Sequence, residues 1–187
     1  MAKVSETPID DATWDRVRIA NPDVSCTYAA VLTGLAALGV GDIPDIGDGA
    51  TELGAKTPAS VPGFLDYIPS PLTSPLDRSI EEFARRRGVE VKARSSIRLR
   101  VPSKVKAPQA GEVVIAHCAR GQESPGVRTW LGLDWQRPST WLSGGHSVVV
   151  AGVLPGGAWR VVDSNHPGVQ TWPEPGLRFC ETRISLV

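Results

Sequence analysis

The sequence predicts an α+β fold in a single domain spanning residues 1–187, and three stretches carry that prediction. The first is Gly144-Gly145-His146-Ser147-Val148-Val149-Val150-Ala151-Gly152-Val153, a valine-rich run of strand length bounded by glycine. After Pro155-Gly156-Gly157 comes a second such run, Ala158-Trp159-Arg160-Val161-Val162, and so short a glycine link pairs the two as an antiparallel hairpin. The second stretch runs from Cys26 to Gly39 and is mostly apolar, as a helix buried on most sides must be. The third starts at Ser74-Pro75 and places Leu76, Ile80, Phe83 and Ala84 on one helical face, before residues 89–93 alternate apolar with polar as a half-buried strand does.

Length and composition bound what such a domain does. A chain of 187 residues with 41% hydrophobic content has the material for a sizeable core. Twenty basic and twenty acidic residues cancel, which removes the electrostatic case for nucleic acid or an anionic membrane and favours a small-molecule or peptide partner. No run approaches the roughly 18 apolar residues of a membrane span, and Met1-Ala2-Lys3-Val4-Ser5-Glu6 leads into no signal-peptide core, so the protein is expected in the cytoplasm. Cys26, Cys118 and Cys180 are odd in number and scattered, which suits reduced thiols better than a disulfide framework.

Taken in order, residues 1–20 are polar apart from Trp14, Val17 and Ile19, a short patch suited to covering the edge of a core. Ser25 is placed to cap the helix that begins at Cys26, and Gly39 to stop it. Residues 40–75 are punctuated by glycine and proline, with a short helix expected over 60–67; so long a connection reads as a lid or a substrate-binding wall. In the helix from Ser74, Glu81, Glu82, Arg85, Arg86 and Arg87 are expected in solvent and Gly88 ends the element. Residues 97–108 are basic and broken by Pro102, as an exposed sheet edge is. A strand is expected over 113–118, where the neighbours His117 and Cys118 face opposite sides and so do not form a catalytic pair or joint metal ligands. Trp130, Trp135 and Trp141 crowd the segment before His146 and serve either as walls of an apolar substrate groove or as packing. Residues 169–172 and 177–184 supply one or two more strands, with Cys180 structural.

The chemistry gathers at three places. His146 opens the first hairpin strand and lies within reach of Asp163 or Asn165 at the end of the second. Cys26 supplies the nucleophile that this pair lacks. A lone cysteine is often just a small buried apolar residue. Position favours more here, because unpaired N–H groups and the positive end of the dipole at a helix head favour thiolate over thiol. Cysteine there, facing a histidine with a carboxylate or amide behind it, is the arrangement that thiol acyl transfer requires.

These ordered pieces, Cys26 opening an apolar helix, Gly111-Glu112-Val113-Val114-Ile115, the Gly-Gly-His-Ser-Val-Val-Val-Ala-Gly run and Arg160-Val161-Val162-Asp163-Ser164-Asn165, resemble the papain-like cysteine peptidase superfamily. Its compact bacterial branch, typified by double-glycine leader peptidases, is the nearest. The resemblance spans roughly residues 20–170 and implies a central N-terminal helix packed on an antiparallel sheet with the active site between them. It makes Cys26 the nucleophile, His146 the general base and acid, and Asp163 the residue that orients the imidazole, with Asn165 as second choice. One departure matters: the glutamine that the family places six residues before the cysteine is Ala20 here, and the glycine after the cysteine is Thr27. Asn21 is the nearest amide donor for the oxyanion, alongside the backbone N–H of Cys26. Loss of one such donor typically costs about 10²–10³ in rate, which a thioester tolerates better than a peptide does.

Three classes therefore stay open: a papain-like peptidase or amide hydrolase, a biosynthetic acyltransferase or Dieckmann-type cyclase that releases an acyl chain from a carrier protein, and a silent peptide-binding module. No cofactor is implied. His117, His146 and His166 lack the H-x₃₋₅-H type of spacing that a metal site would show.

Overall fold

The computed structural model describes residues 9–21, 26–54, 75–100, 106–119, 145–172 and 178–187. Within them the chain forms four helices, α1 (Asp11–Val17), α2 (Cys26–Ala37), α3 (Ile46–Glu52) and α4 (Pro75–Arg86). Six strands follow: β1 (Val91–Arg100), β2 (Glu112–Ala119), β3 (Gly145–Val153), β4 (Trp159–Val162), β5 (Val169–Trp172) and β6 (Arg178–Leu186). The strands make one antiparallel sheet in the order β1-β6-β2-β3-β4-β5. The expected α+β architecture is present, and the β3–β4 hairpin turns through Gly156 and Gly157, both at positive φ.

Helix α2 contains no charged residue, and nine of its twelve positions are buried. Its residues Ala30, Val31, Leu32 and Leu35 pack with Ile80, Phe83 and Ala84 of α4 against one face of the sheet, represented by Val91, Ala93, Val113, Ile115, Val149 and Ile184. Strand alternation sends Val114, Ala116, Val148, Val150 and Val161 to the other face, where they cluster with Trp159. Helix α2 ends as expected: Gly39 adopts φ +86°, and Val40 N–H reaches back to the Leu35 carbonyl at 3.0 Å. Trp14 of α1 is buried in the helix-side core, so the short N-terminal patch covers its edge.

Three features depart from the sequence reading. Residues 46–52, expected within a long irregular connection, form α3. Gly47 and Gly49 give that segment little helical propensity, and tertiary packing supplies the stability instead. Asp45 caps it by accepting the Asp48 N–H, Ala50 and Leu53 are buried, and Gly49 lies directly on Leu32, with no room for a side chain. Residues 55–74 of the expected lid, including the helix expected over 60–67, lie outside the described residues, as does the cap residue Ser25.

Arg87, expected in solvent, is half-buried. Its guanidinium lies 3.7 Å over the Phe83 ring, pairs with Glu52 at 3.1 and 3.2 Å and donates to the Asp42 carbonyl, tying α3 to the end of α4. Planar, forked and weakly hydrated, arginine tolerates such a site where lysine would not. Glu81, also expected in solvent, is half-buried too: it pairs with Lys92 and accepts the Ala93 N–H at 3.1 Å. Asp77 accepts the Ser95 N–H at 2.9 Å in the same way. Residues 91–100 form an edge strand that takes in only 97–100 of the basic 97–108 stretch expected at an edge, 101–105 lying outside the described residues, and two carboxylates of α4 occupy backbone donors that such a strand leaves open.

Helix α2 comes close to the sheet at Gly34, where an added Cβ would meet Val113 Cγ1 at 2.8 Å. Gly34→Val should therefore lower unfolding free energy by about 1–3 kcal/mol in denaturant titration, because the buried valine beneath has nowhere to move.

Candidate active site

Cys26 is the first residue of α2 and is buried, as packing of that uncharged helix against β3 and β2 requires. His146 is the second residue of β3, where the strand leaves the glycines that precede it, and it pairs in register with Cys118 of β2. Asp163 follows β4 directly. The β3–β4 register sets Val149 opposite Val162, so a continued ladder would bring Asn165 across from His146. The chain leaves the ladder instead. Asp163 Oδ1 accepts the backbone N–H of Asn165 at 2.9 Å, a tight Asx-type turn, and the same oxygen meets His146 Nε2 at 2.8 Å. Asp163 and His146 are buried whereas the Asn165 side chain is exposed, so the carboxylate and not the amide partners the ring.

The thiol of Cys26 is hydrogen-bonded to His146. Since Nε2 is committed to Asp163, Nδ1 is the ring nitrogen left for sulfur. Burial is the largest influence on each of the three groups, and in each it is outweighed. Burial pushes the Cys26 thiol up, but the hydrogen bond and positive charge of His146, with the backbone N–H of Ser147, bring it below its ordinary value of 9.0. Burial pushes His146 down, and the bonds and charges of Asp163 and Cys26 raise it to about 9. Asp163 is pushed up by burial and held below the ordinary carboxylate value by His146 and the Asn165 N–H. Opposite charges thus favour one another in a dry setting, which stabilises a thiolate–imidazolium pair. Such a pair holds a nucleophile and a proton donor side by side.

The other candidates fall as follows. Asn21 lies beside the Asp163 turn: its backbone N–H donates to the Ser164 carbonyl at 3.1 Å and its amide to Asn165 Oδ1 at 3.3 Å, while Arg18 donates to the same Ser164 carbonyl. Ala20 is exposed. Trp130, Trp135 and Trp141 lie outside the described residues. A different tryptophan, Trp172 of β5, stands beside the imidazole with ring centroids 6.2 Å apart, and its indole N–H is held by Gln170. Trp172 lies in an expected strand, and the β4–β5 pairing, which no local pattern specifies, carries it to the imidazole. Among the described residues no three of His, Cys, Asp and Glu converge as metal ligands.

Comparison with protein-family models, with curated proteins and with solved structures finds no match.

The rate of iodoacetamide alkylation at Cys26, followed by intact mass against pH, should begin to rise below pH 9.0, because the folded thiol titrates below its ordinary value. His146→Ala removes the main opposition to burial and should move that rise back up in pH. Identical profiles for the two proteins would show that the imidazole does not hold the thiolate.

Proposed function

We propose that the chain is a cysteine-dependent acyl-transfer enzyme with a papain-like arrangement, working in the cytoplasm through Cys26, His146 and Asp163. The observation that carries this reading is the continuous contact from a depressed thiol through His146 to a buried carboxylate 2.8 Å from Nε2. His146 takes the thiol proton, and the sulfur attacks an acyl carbon. As the tetrahedral intermediate collapses, the imidazolium returns that proton to the leaving group, and a thioester to Cys26 remains. In the second half His146 deprotonates water, an amine or a carbon acid, which attacks the thioester and frees the thiol. Asp163 stabilises the imidazolium that appears in both halves and fixes its tautomer. The backbone N–H of Cys26 and the amide of Asn21 are the oxyanion donors of this proposal, and the half-buried face of Trp172 gives the acyl group an apolar wall.

A specific observation favours a second reading within the same chemistry. Exposed Ala20 stands where the family carries its oxyanion glutamine, and Asn21 directs its amide to Asn165. A weak oxyanion site suits an activated donor. A biosynthetic acyltransferase or Dieckmann-type cyclase that takes an acyl chain from a carrier protein therefore stands beside the peptidase or amide hydrolase.

Incubation with short peptides and with acyl thioesters in parallel, read by intact mass and product analysis, tests both readings. An adduct on Cys26 from thioesters alone would select the transferase or cyclase, and peptide cleavage the hydrolase. No adduct from either, with Cys26 still alkylatable, would leave a silent peptide-binding module. Where turnover is found, Cys26→Ala should abolish it and His146→Ala should reduce it by about 10²–10⁴-fold. Asp163→Asn should cost more activity than Asn165→Ala; the reverse order would transfer the orienting role to Asn165. Turnover should also fall as pH rises past about 9, where His146 loses the proton that it must give to the leaving group.

A further inference from the structure

On the helix-facing side of the sheet, one transverse row of positions is polar although its neighbours on the same face are core. Ser95 is two residues beyond Ala93, His117 two beyond Ile115, Ser147 two before Val149 and Thr182 two before Ile184. Strand register sets Ser95 opposite Thr182 and His117 opposite Ser147, while Thr182 lies opposite Ile115 and so one diagonal step from His117. They are joined by hydrogen bonds: Ser147 Oγ to His117 Nδ1 at 2.8 Å, His117 Nε2 to Thr182 Oγ1 at 3.1 Å and Thr182 Oγ1 to Ser95 Oγ at 2.9 Å. Each end is held by a helix. Thr27 of α2 meets Ser147 Oγ at 2.8 Å, and Asp77 of α4 accepts from Ser95 Oγ at 2.5 Å.

The direction of this chain follows from counting hydrogens. A carboxylate has none to give, so Ser95 donates to Asp77. Its single hydrogen is then spent, and the hydrogen between Ser95 and Thr182 must belong to Thr182. By the same step the hydrogen between Thr182 and His117 sits on Nε2. His117 is fully buried, and burial alone pushes it down to about 4, so at neutral pH it carries one ring hydrogen and Nδ1 must accept. Ser147 therefore donates to His117 and receives from Thr27. Yet the Ser147 hydroxyl also faces the sulfur of Cys26, beside its own backbone N–H. One hydrogen has two claimants.

We infer that Asp77, His117 and Ser147 are positioning residues for Cys26: a one-way chain of hydrogen bonds anchored at Asp77 holds the Ser147 hydroxyl hydrogen on His117 and away from the sulfur. The inference rests on the reading of Cys26 as a reactive thiol. Its effect is to leave the thiolate with donors from His146 and the Ser147 backbone but without a third, which keeps more electron density free for attack.

Asp77→Asn reverses the chain with nearly unchanged shape. Asp77 Oδ2 already accepts the Ser95 backbone N–H at 2.9 Å, so the amide oxygen of the variant must take that place, and its NH₂ then faces Ser95 Oγ as a donor. Ser95 turns its hydrogen to Thr182, Thr182 turns its own to Nε2, His117 carries its hydrogen on Nδ1, and Ser147 is released to donate to sulfur. Ser95, Thr182, His117 and Ser147 each keep one hydrogen and only its direction changes.

Two readouts test this without any substrate. Nitrogen-15 NMR of histidine-labelled wild-type protein at neutral pH should find His117 as the Nε2–H tautomer, and Asp77→Asn should switch it to Nδ1–H. The pH at which Cys26 alkylation rises should fall in Asp77→Asn by about half a unit to one unit, as one added hydrogen bond to a thiolate implies. With Thr182→Val in place the chain is cut, and Asp77→Asn should then move neither readout. A wild-type Nδ1–H tautomer would overturn the inference even if no variant folds, as would a folded Asp77→Asn protein with both readouts unchanged. Failure of wild-type Cys26 to react at all would instead remove the acyl-transfer reading and leave the tautomer result standing.

Discussion

Helix α2 is the constraint from which the rest follows. Without a single charge it has no face to give to water, so sheet, α3, α4 and α1 must close around it. Covering its head places Cys26 in a dry position against the start of β3, where burial by itself would hold the thiol protonated. Reactivity in such a place depends on an imidazolium, and the imidazolium depends on Asp163. The core and the candidate site are thus one packing problem, and Gly34, which lets α2 sit close to β2, serves both.

Two buried histidines show how little burial decides alone. His117 and His146 are nearly equally enclosed and both are driven toward neutrality by that enclosure. His117 faces hydroxyls, which accept or donate without charge, and it falls to about 4. His146 faces a carboxylate and a thiol, and it rises to about 9. A neutral ring suits the relay of hydrogen-bond direction because its single hydrogen must choose a side. A charged ring suits proton donation.

Much of this was legible from local pattern. The valine run after His146, the glycine-closed hairpin and the apolar run after Cys26 marked helix, strands and the two principal side chains, since each signal lies within about a dozen residues. Asp163 was separable from Asn165 only in part, because the choice turns on where the chain leaves the β4 ladder. Helix α3 was hidden by its glycines, one of which, Gly49, has Leu32 pressed against it. Arg87 looked like a solvated helix end and proved to be a clamp on Glu52. The polar row left a faint trace in the sequence, hydroxyls and a histidine at core parity near strand ends. Only the sheet order, with β6 brought between β1 and β2, turns those scattered residues into neighbours.

That sheet order also bears on how the chain folds. β6 comes last in the sequence yet lies inside the sheet, with β1 on one side and β2 on the other. Until it arrives, β1 has no strand partner and β2 keeps one edge open, so the sheet is completed by pairings between segments far apart along the chain. Closing loops of that span costs entropy before any contact repays it, which makes for slow folding and a transient species with two unsatisfied edges. Thr182 rides on that same strand. The relay beneath Cys26 is therefore complete only when that strand is docked, and a chain lacking it carries the cysteine without that hydrogen-bond order.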